Sequence, residues 1–190
     1  MNIRQSIESS IALKNKILNN AALLDTIEKA ADKMISSIKG GGKVLFCGNG
    51  GSAADAQHLA AELSGKFYYD RDPLPAEALH VNTSYLTAVA NDYGYDEVFS
   101  RMIKGSGKKG DVLVGLSTSG NSKNVIKALE MAAAMGMITI GFTGNTGGKM
   151  KDLCCYLINV PSDDIPRIQE AHILIGHIIC EIVESKIYPR

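Results

Sequence analysis

Five short apolar runs, each stopped by turn residues, constrain this chain more than any other feature. They are Val44–Cys47, Ala78–Val81, Val112–Leu116, Ile138–Phe142 and Tyr156–Val160. Each reads as a strand buried on both faces, as in a parallel sheet. Helical stretches separate them, at 52–64, at 84–90 with 97–104, at 121–135, and as a weaker turn near 148–153. Strand alternating with helix means right-handed βαβ units, which predict an α/β fold with a doubly wound, five-stranded parallel sheet. Two amphipathic helices come first. In the second, Ile27, Ala31, Met34, Ile35 and Ile38 form one stripe, and Gly40-Gly41-Gly42 ends it. No linker, repeat or low-complexity tract divides the 190 residues. The reading is therefore one domain, with N-terminal helices over 1–40, an α/β core over 43–160 and a closing helix over 165–187.

The closing helix is unusual. Ile168, Ile173, Leu174, Ile175, Ile178, Ile179, Ile182 and Val183 wrap nearly its whole circumference, and Pro166 is tolerable in its first turn. A helix apolar all round is buried on all sides, which in a small domain calls for a second copy of the chain. Twenty basic residues balance twenty acidic ones, so nothing pulls the chain toward nucleic acid or anionic lipid. No segment approaches the roughly 18 to 20 apolar residues of a membrane span, and the first turns are too polar for a secretory signal. A soluble, cytoplasmic protein is expected. Cys47, Cys154, Cys155 and Cys180 include no CxxC pair, and they read as reduced thiols in that compartment.

Ligands of doubly wound sheets sit outside the carboxyl ends of the strands. Two such ends here are rich in Gly and hydroxyls. The first is Cys47-Gly48-Asn49-Gly50-Gly51-Ser52-Ala53, which satisfies G-x-G-x-x-A. A dinucleotide site also wants an acid at the end of the second strand, and that strand ends in His80-Val81-Asn82. No G-K-[ST] occurs, which removes a Walker loop. The second end is Leu116-Ser117-Thr118-Ser119-Gly120-Asn121-Ser122, four hydroxyls around a Gly at a helix start. Helix capping accounts for one or two of them, whereas a phosphate monoester accounts for all four. Lys123 could add positive charge. No acid beside the loop could hold Mg²⁺, so binding a phosphate is favoured over transferring one.

His58 and Glu62 lie four residues apart on one helix, about 40° from each other, where they can share a proton or a divalent metal. A solvated His/Glu pair is the plainer explanation of these two alone. Gln169, His172 and His177 raise the stakes, since polar groups in so apolar a helix need partners. Helical geometry sets Gln169 and His177 about 80° apart and His172 about 140° from His177. Either histidine could pair with Gln169, but the two are poorly placed to share one site.

Four separated segments resemble one known family. Cys47–Phe67 (CGNGGSAADAQHLAAELSGKF) and Leu116–Glu130 (LSTSGNSKNVIKALE) are similar to the sugar isomerase (SIS) fold. With Ala88–Arg101 (AVANDYGYDEVFSR) and Arg167–His177 (RIQEAHILIGH), they resemble the bacterial phosphoheptose isomerases, over essentially the whole chain. The resemblance implies a five-stranded SIS sandwich assembled as a homotetramer, with active sites at subunit interfaces. It implies interconversion of sedoheptulose 7-phosphate and D-glycero-D-manno-heptose 7-phosphate, on the way to ADP-heptose for lipopolysaccharide cores and capsules. It also implies one zinc ion per subunit, held by His58, Glu62, Gln169 and His177. Its substrate contacts fall on Asn49, Gly50, Gly51, Ser52, Glu62, Asn91, Asp92, Ser117, Thr118, Ser119, Ser122 and Gln169. Two positions depart from some relatives: Lys66 stands where they have Arg, and Pro166 where they have Asp.

Moving a proton between C1 and C2 of a sugar needs one carboxylate, assigned to Glu62, while His177 serves the oxygens. Two rivals stand beside this reading. One is a non-catalytic SIS tetramer of the kind that binds a replication initiator protein, which would not need the His58, Glu62, Gln169 and His177 set. The other is an isomerase of a different sugar phosphate.

Overall fold

The computed structural model describes residues 2–190. Two helices open the chain, α1 (Ile3–Leu18) and α2 (Ala21–Lys39). Asn2 and Gln5 cap α1 reciprocally, each side chain accepting from the other's backbone N–H, and Asn20 caps α2 through Leu23 N. Then strand and helix alternate: β1 (Val44–Gly48), α3 (Gly51–Ser64), β2 (Ala76–Ala78), α4 (Thr83–Tyr93), α5 (Val98–Ser106), β3 (Val112–Leu116), α6 (Lys123–Ala134), β4 (Ile138–Thr143) and β5 (Tyr156–Asn159). The helix α7 (Ile165–Ile187) closes the chain. The five strands form one parallel sheet in the order β2-β1-β3-β4-β5.

Alternation of side chains along the central strands sorts the core into two layers. Val44, Phe46, Val112, Val114 and Leu116 face α1, α2, α3 and α7. Leu45, Cys47 and Leu113 face α4, α5 and α6. Strand order reverses between β1 and β3, and the turns leaving these two strands are the Gly- and hydroxyl-rich ones. That is where such a sheet opens a crevice.

Two expectations need correction. The second strand covers Ala76–Ala78, two residues earlier than the apolar run at 78–81. It is a short edge strand. Leu79 still donates to Phe46 O and buries its side chain, but the backbone turns there toward α4. The helix after β3 begins at Lys123, not Asn121, because Asn121 is tied into the preceding loop by its bonds to Ser119 and Lys149. Its own chain leaves part of the closing helix uncovered, in keeping with the expectation that a second copy is called for. Ile168, Ile175, Ile179 and Val183 are buried, while Leu174 and Ile178 are more than a third exposed. Among the described residues, no helix is long and apolar enough to cross a membrane.

Candidate active site

The turn from β1 into α3 is held from two sides. Asn49 exchanges amide hydrogen bonds with the buried Asn124 of α6, both at 2.9 Å, and accepts a third from Tyr95 Oη at 3.1 Å. Gly50 is the helix cap, with φ +55, and no side chain caps α3. Gly51 follows because Gln169 of α7 lies directly on it. A Cβ at that position would sit 2.6 Å from the Gln169 amide nitrogen. Ser52 is buried beneath the turn.

The hydroxyl loop leaves β3 at Ser117. Ser117 Oγ is within 2.9 Å of Ser122 Oγ and 3.5 Å of Ser119 Oγ, so three hydroxyls gather at the start of α6. Ser122 is the cap residue of α6 but makes no side-chain capping bond, which leaves its hydroxyl to the cluster. Ser119 is exposed and Ser117 buried, with Thr118 between. Beside the loop lies a cleft of about 290 Å³ lined by Thr118, Ser119, Asn145, Thr146 and Ser162. Lys123 does not turn to this loop: its ammonium lies 3.9 Å from Asp96 and is mostly exposed.

The third group forms where α3 and α7 run side by side. Gly176 makes that approach possible, since a Cβ there would stand 2.5 Å from Leu59 Cδ1. His58 Nε2 lies 2.9 Å from Glu62 Oε1 and 3.2 Å from His177 Nε2. The three ligand atoms lie within 4.8 Å of one another. Two imidazole nitrogens facing each other can share at most one proton, and with the Glu62 carboxylate the three atoms could also hold a cation. The spacing agrees with that. Two nitrogens bound at 2.0–2.1 Å to one tetrahedral ion stand roughly 3.3 Å apart. The His58 side chain is half exposed, so one side of the cluster is open.

The two histidines of α7 part company, as the helical wheel requires. His172 is fully buried, donates from Nε2 to Thr143 O at 3.1 Å and meets the Phe142 ring edge-on. His177 reaches the seam with α3. Asn91 and Asp92 are exposed on the last turn of α4, Asn91 donating to Asp92, and among the described residues no hydrogen bond or ion pair joins them to the hydroxyl loop or to the His58 cluster. Lys66 and Pro166 are exposed, and His80 is half-buried with Nδ1 lacking a partner. Asn124, Tyr95 and Phe67 escaped the sequence reading. The Phe67 ring stands 5.7 Å from the His177 ring at a 32° tilt. Asn124 follows the hydroxyl loop by two residues, which is the only signal it offers.

A hydroxyl-lined turn at the carboxyl end of a doubly wound sheet and a His/Glu/His cluster are the kinds of group that sugar-phosphate chemistry uses. The SIS domain model matches residues 7–144, and the chain belongs to that family. Within it, the phosphoheptose isomerase of Aneurinibacillus thermoaerophilus is 55% identical over 186 residues, covering 98% of this chain and 94% of that one. The solved phosphoheptose isomerase of Neisseria gonorrhoeae superposes with a TM-score of 0.90 at 44% identity, covering 96% of this chain and 97% of that one. The one from Francisella tularensis gives 0.92 at 39% identity, covering 96% of each. With likeness of this degree along nearly its whole length, the chain is a member of the phosphoheptose isomerases.

Proposed function

We propose that the protein interconverts sedoheptulose 7-phosphate and D-glycero-D-manno-heptose 7-phosphate, an aldose–ketose isomerisation that leads to ADP-heptose for lipopolysaccharide core or capsule. The observation that carries this reading is the convergence of His58, Glu62 and His177. A sugar-phosphate binder without chemistry, such as a partner of a replication initiator, has no use for such a cluster.

The roles rest on the resemblance to the family, and position supports those of the hydroxyl loop and the His58 cluster. Ser117, Thr118, Ser119 and Ser122 hold the phosphate at the start of α6. Asn49, Gly50, Gly51, Ser52, Asn91, Asp92 and Gln169 read the sugar hydroxyls. Glu62 takes a proton from C1 of the ketose, the electron pair makes the C1–C2 double bond, and the C2 oxygen takes a proton from His177. The product is a cis-enediol. O1 then returns its proton to His177, C1 becomes the aldehyde carbon, and the proton on Glu62 passes to C2 on the same face. Glu62 Oε1 is engaged by His58, and Oε2 is left for the carbon-bound proton.

His58, Glu62, Gln169 and His177 would hold one Zn²⁺, a nitrogen and oxygen set without thiolate that suits this ion. When bound, zinc would supply positive charge that stabilises negative charge developing on the substrate oxygens. A homotetramer with sites at its interfaces accords with the exposed apolar residues of α1 and α7, among them Ile7, Ile11, Leu174 and Ile178. Cytoplasmic residence accords with four free cysteines in one chain that acts as a single domain. The test is incubation with sedoheptulose 7-phosphate, with and without a chelator. Aldose heptose phosphate should accumulate, more slowly with the chelator, and recover on adding zinc. Wild-type protein that forms no aldose overturns the proposal.

A further inference from the structure

Nothing in the chemistry above uses the ion pair between Arg71 and Glu184, yet their side chains are 2% and 1% exposed. Burying two charges carries a large desolvation cost, and apolar residues of the same volume often serve stability as well. What a buried pair adds is direction. Arg71 lies in the loop after α3 and turns back onto the end of that helix. Its Nη2 donates to Glu62 O at 2.9 Å, and its Nη1 to Leu63 O and Gly65 O, both at 2.8 Å. Glu62 and Leu63 are in the last turn of α3, whose carbonyls have no partner within the helix, and Gly65 is its cap residue. Its Nε donates to Glu184 Oε1 at 3.0 Å.

Glu184 lies on α7 two turns beyond His177, on the same face. It also accepts from Phe67 N at 2.9 Å and Tyr68 N at 2.8 Å. One guanidinium and one carboxylate therefore tie together the end of α3, the loop behind it, and α7. Both bonded ends reach the candidate centre. Glu62 gives Arg71 its carbonyl, and Phe67, held by Glu184, lays its ring against His177. The 3.2 Å approach of His58 to His177 crosses the same seam. Sliding α3 by one residue, about 1.5 Å, would destroy it.

We propose that Arg71 and Glu184 are positioning residues for the isomerase site, fixing the register of α3 against α7 so that His58, Glu62 and His177 converge. The inference rests on the function proposed above. Two variants of the full-length protein test it, Glu184→Gln, which keeps the shape, and Arg71→Lys, which keeps the charge but loses the fork. Zinc affinity, read by competition with a chromophoric chelator, should weaken at least tenfold in both. Turnover should fall at least tenfold with KM changed less than about threefold, because the phosphate loop is on other elements. Arg71→Lys should retain more of both than Arg71→Met. Variants that melt at lower temperature but keep wild-type zinc affinity and kcat would overturn the proposal and leave the pair a purely structural one. Should the variants not fold, hydrogen exchange in the wild type decides. Coupling is reciprocal, so zinc should slow exchange of the Phe67 and Tyr68 amides at least tenfold while sparing α6. No slowing overturns the inference. A wild type that neither isomerises the heptose phosphate nor binds zinc overturns the site reading, and this inference with it. An active, zinc-binding wild type matched by its variants overturns the positioning role alone.

Discussion

His172 and His177 sit five positions apart on one helix and live in opposite surroundings. Burial pushes the His172 imidazole down to about 4, against the pull of its bond to Thr143 O. The folded state thus prefers it neutral, and its contribution to stability is complete above the unfolded value near 6.5. As pH falls from about 6.5 to 4 the unfolded chain binds the proton first, and about 3 kcal/mol should be lost. Urea denaturation of the wild type and His172→Gln across that range checks this, with the difference between the two curves flattening in the variant. His172→Gln should keep most turnover, whereas His177→Ala should lose about 10²-fold in kcat. In the hydroxyl loop, Ser119→Ala should raise KM about tenfold, or about 1.4 kcal/mol, with kcat nearly unchanged. An unchanged KM in Ser119→Ala, Ser122→Ala and the double variant would contradict a phosphate role. At this scale, local spacing was enough to find His58 with Glu62 and to separate the two histidines. It could not reach Asn124, whose partner Asn49 is 75 residues away. Nor could it reach Arg71, a charged residue in a polar loop whose burial depends on Glu184, a further 113 residues along.

The strands and helices were readable because a parallel sheet buried on both faces leaves nearly continuous apolar runs with turns at their ends. The one misplaced strand, β2, is the one at the edge, where a three-residue pairing competes with the apolar turn that follows it. The closing helix shows a different gap. Its apolar circumference was plain, but which side its own chain would cover was not. Ile175 faces the core of its own protomer, so a charge there would unfold the chain and report nothing about assembly. Ile178 does not. Ile178→Glu should leave the circular dichroism of the protomer intact and, if the proposed tetramer is correct, yield smaller species than the wild type in sedimentation velocity. A wild type that sediments as a monomer at micromolar concentration would contradict the burial of this helix between subunits.

The whole molecule hangs three kinds of group on one sheet and the helices packed against it. The Gly turn after β1 carries Asn49 to Ser52, the hydroxyl turn after β3 carries Ser117 to Ser122, and the seam of α3 with α7 carries the His58 cluster. The amide pair between Asn49 and Asn124 ties the first turn to the helix that follows the second. The sheet class and the two turns could be read from order and composition. The convergence of the cluster could not, because it depends on two helices separated by a hundred residues packing closely at Gly176. The central claim is that Glu62 moves a proton between two carbons through an enediol. Converting sedoheptulose 7-phosphate in deuterated water, and locating deuterium in the product by NMR, tests it most directly. The account predicts deuterium at C2 of the aldose from the wild type, and a loss of at least about 10²-fold in both turnover and incorporation in Glu62→Gln. Aldose formed without any solvent deuterium, or near-normal incorporation by Glu62→Gln, would contradict it.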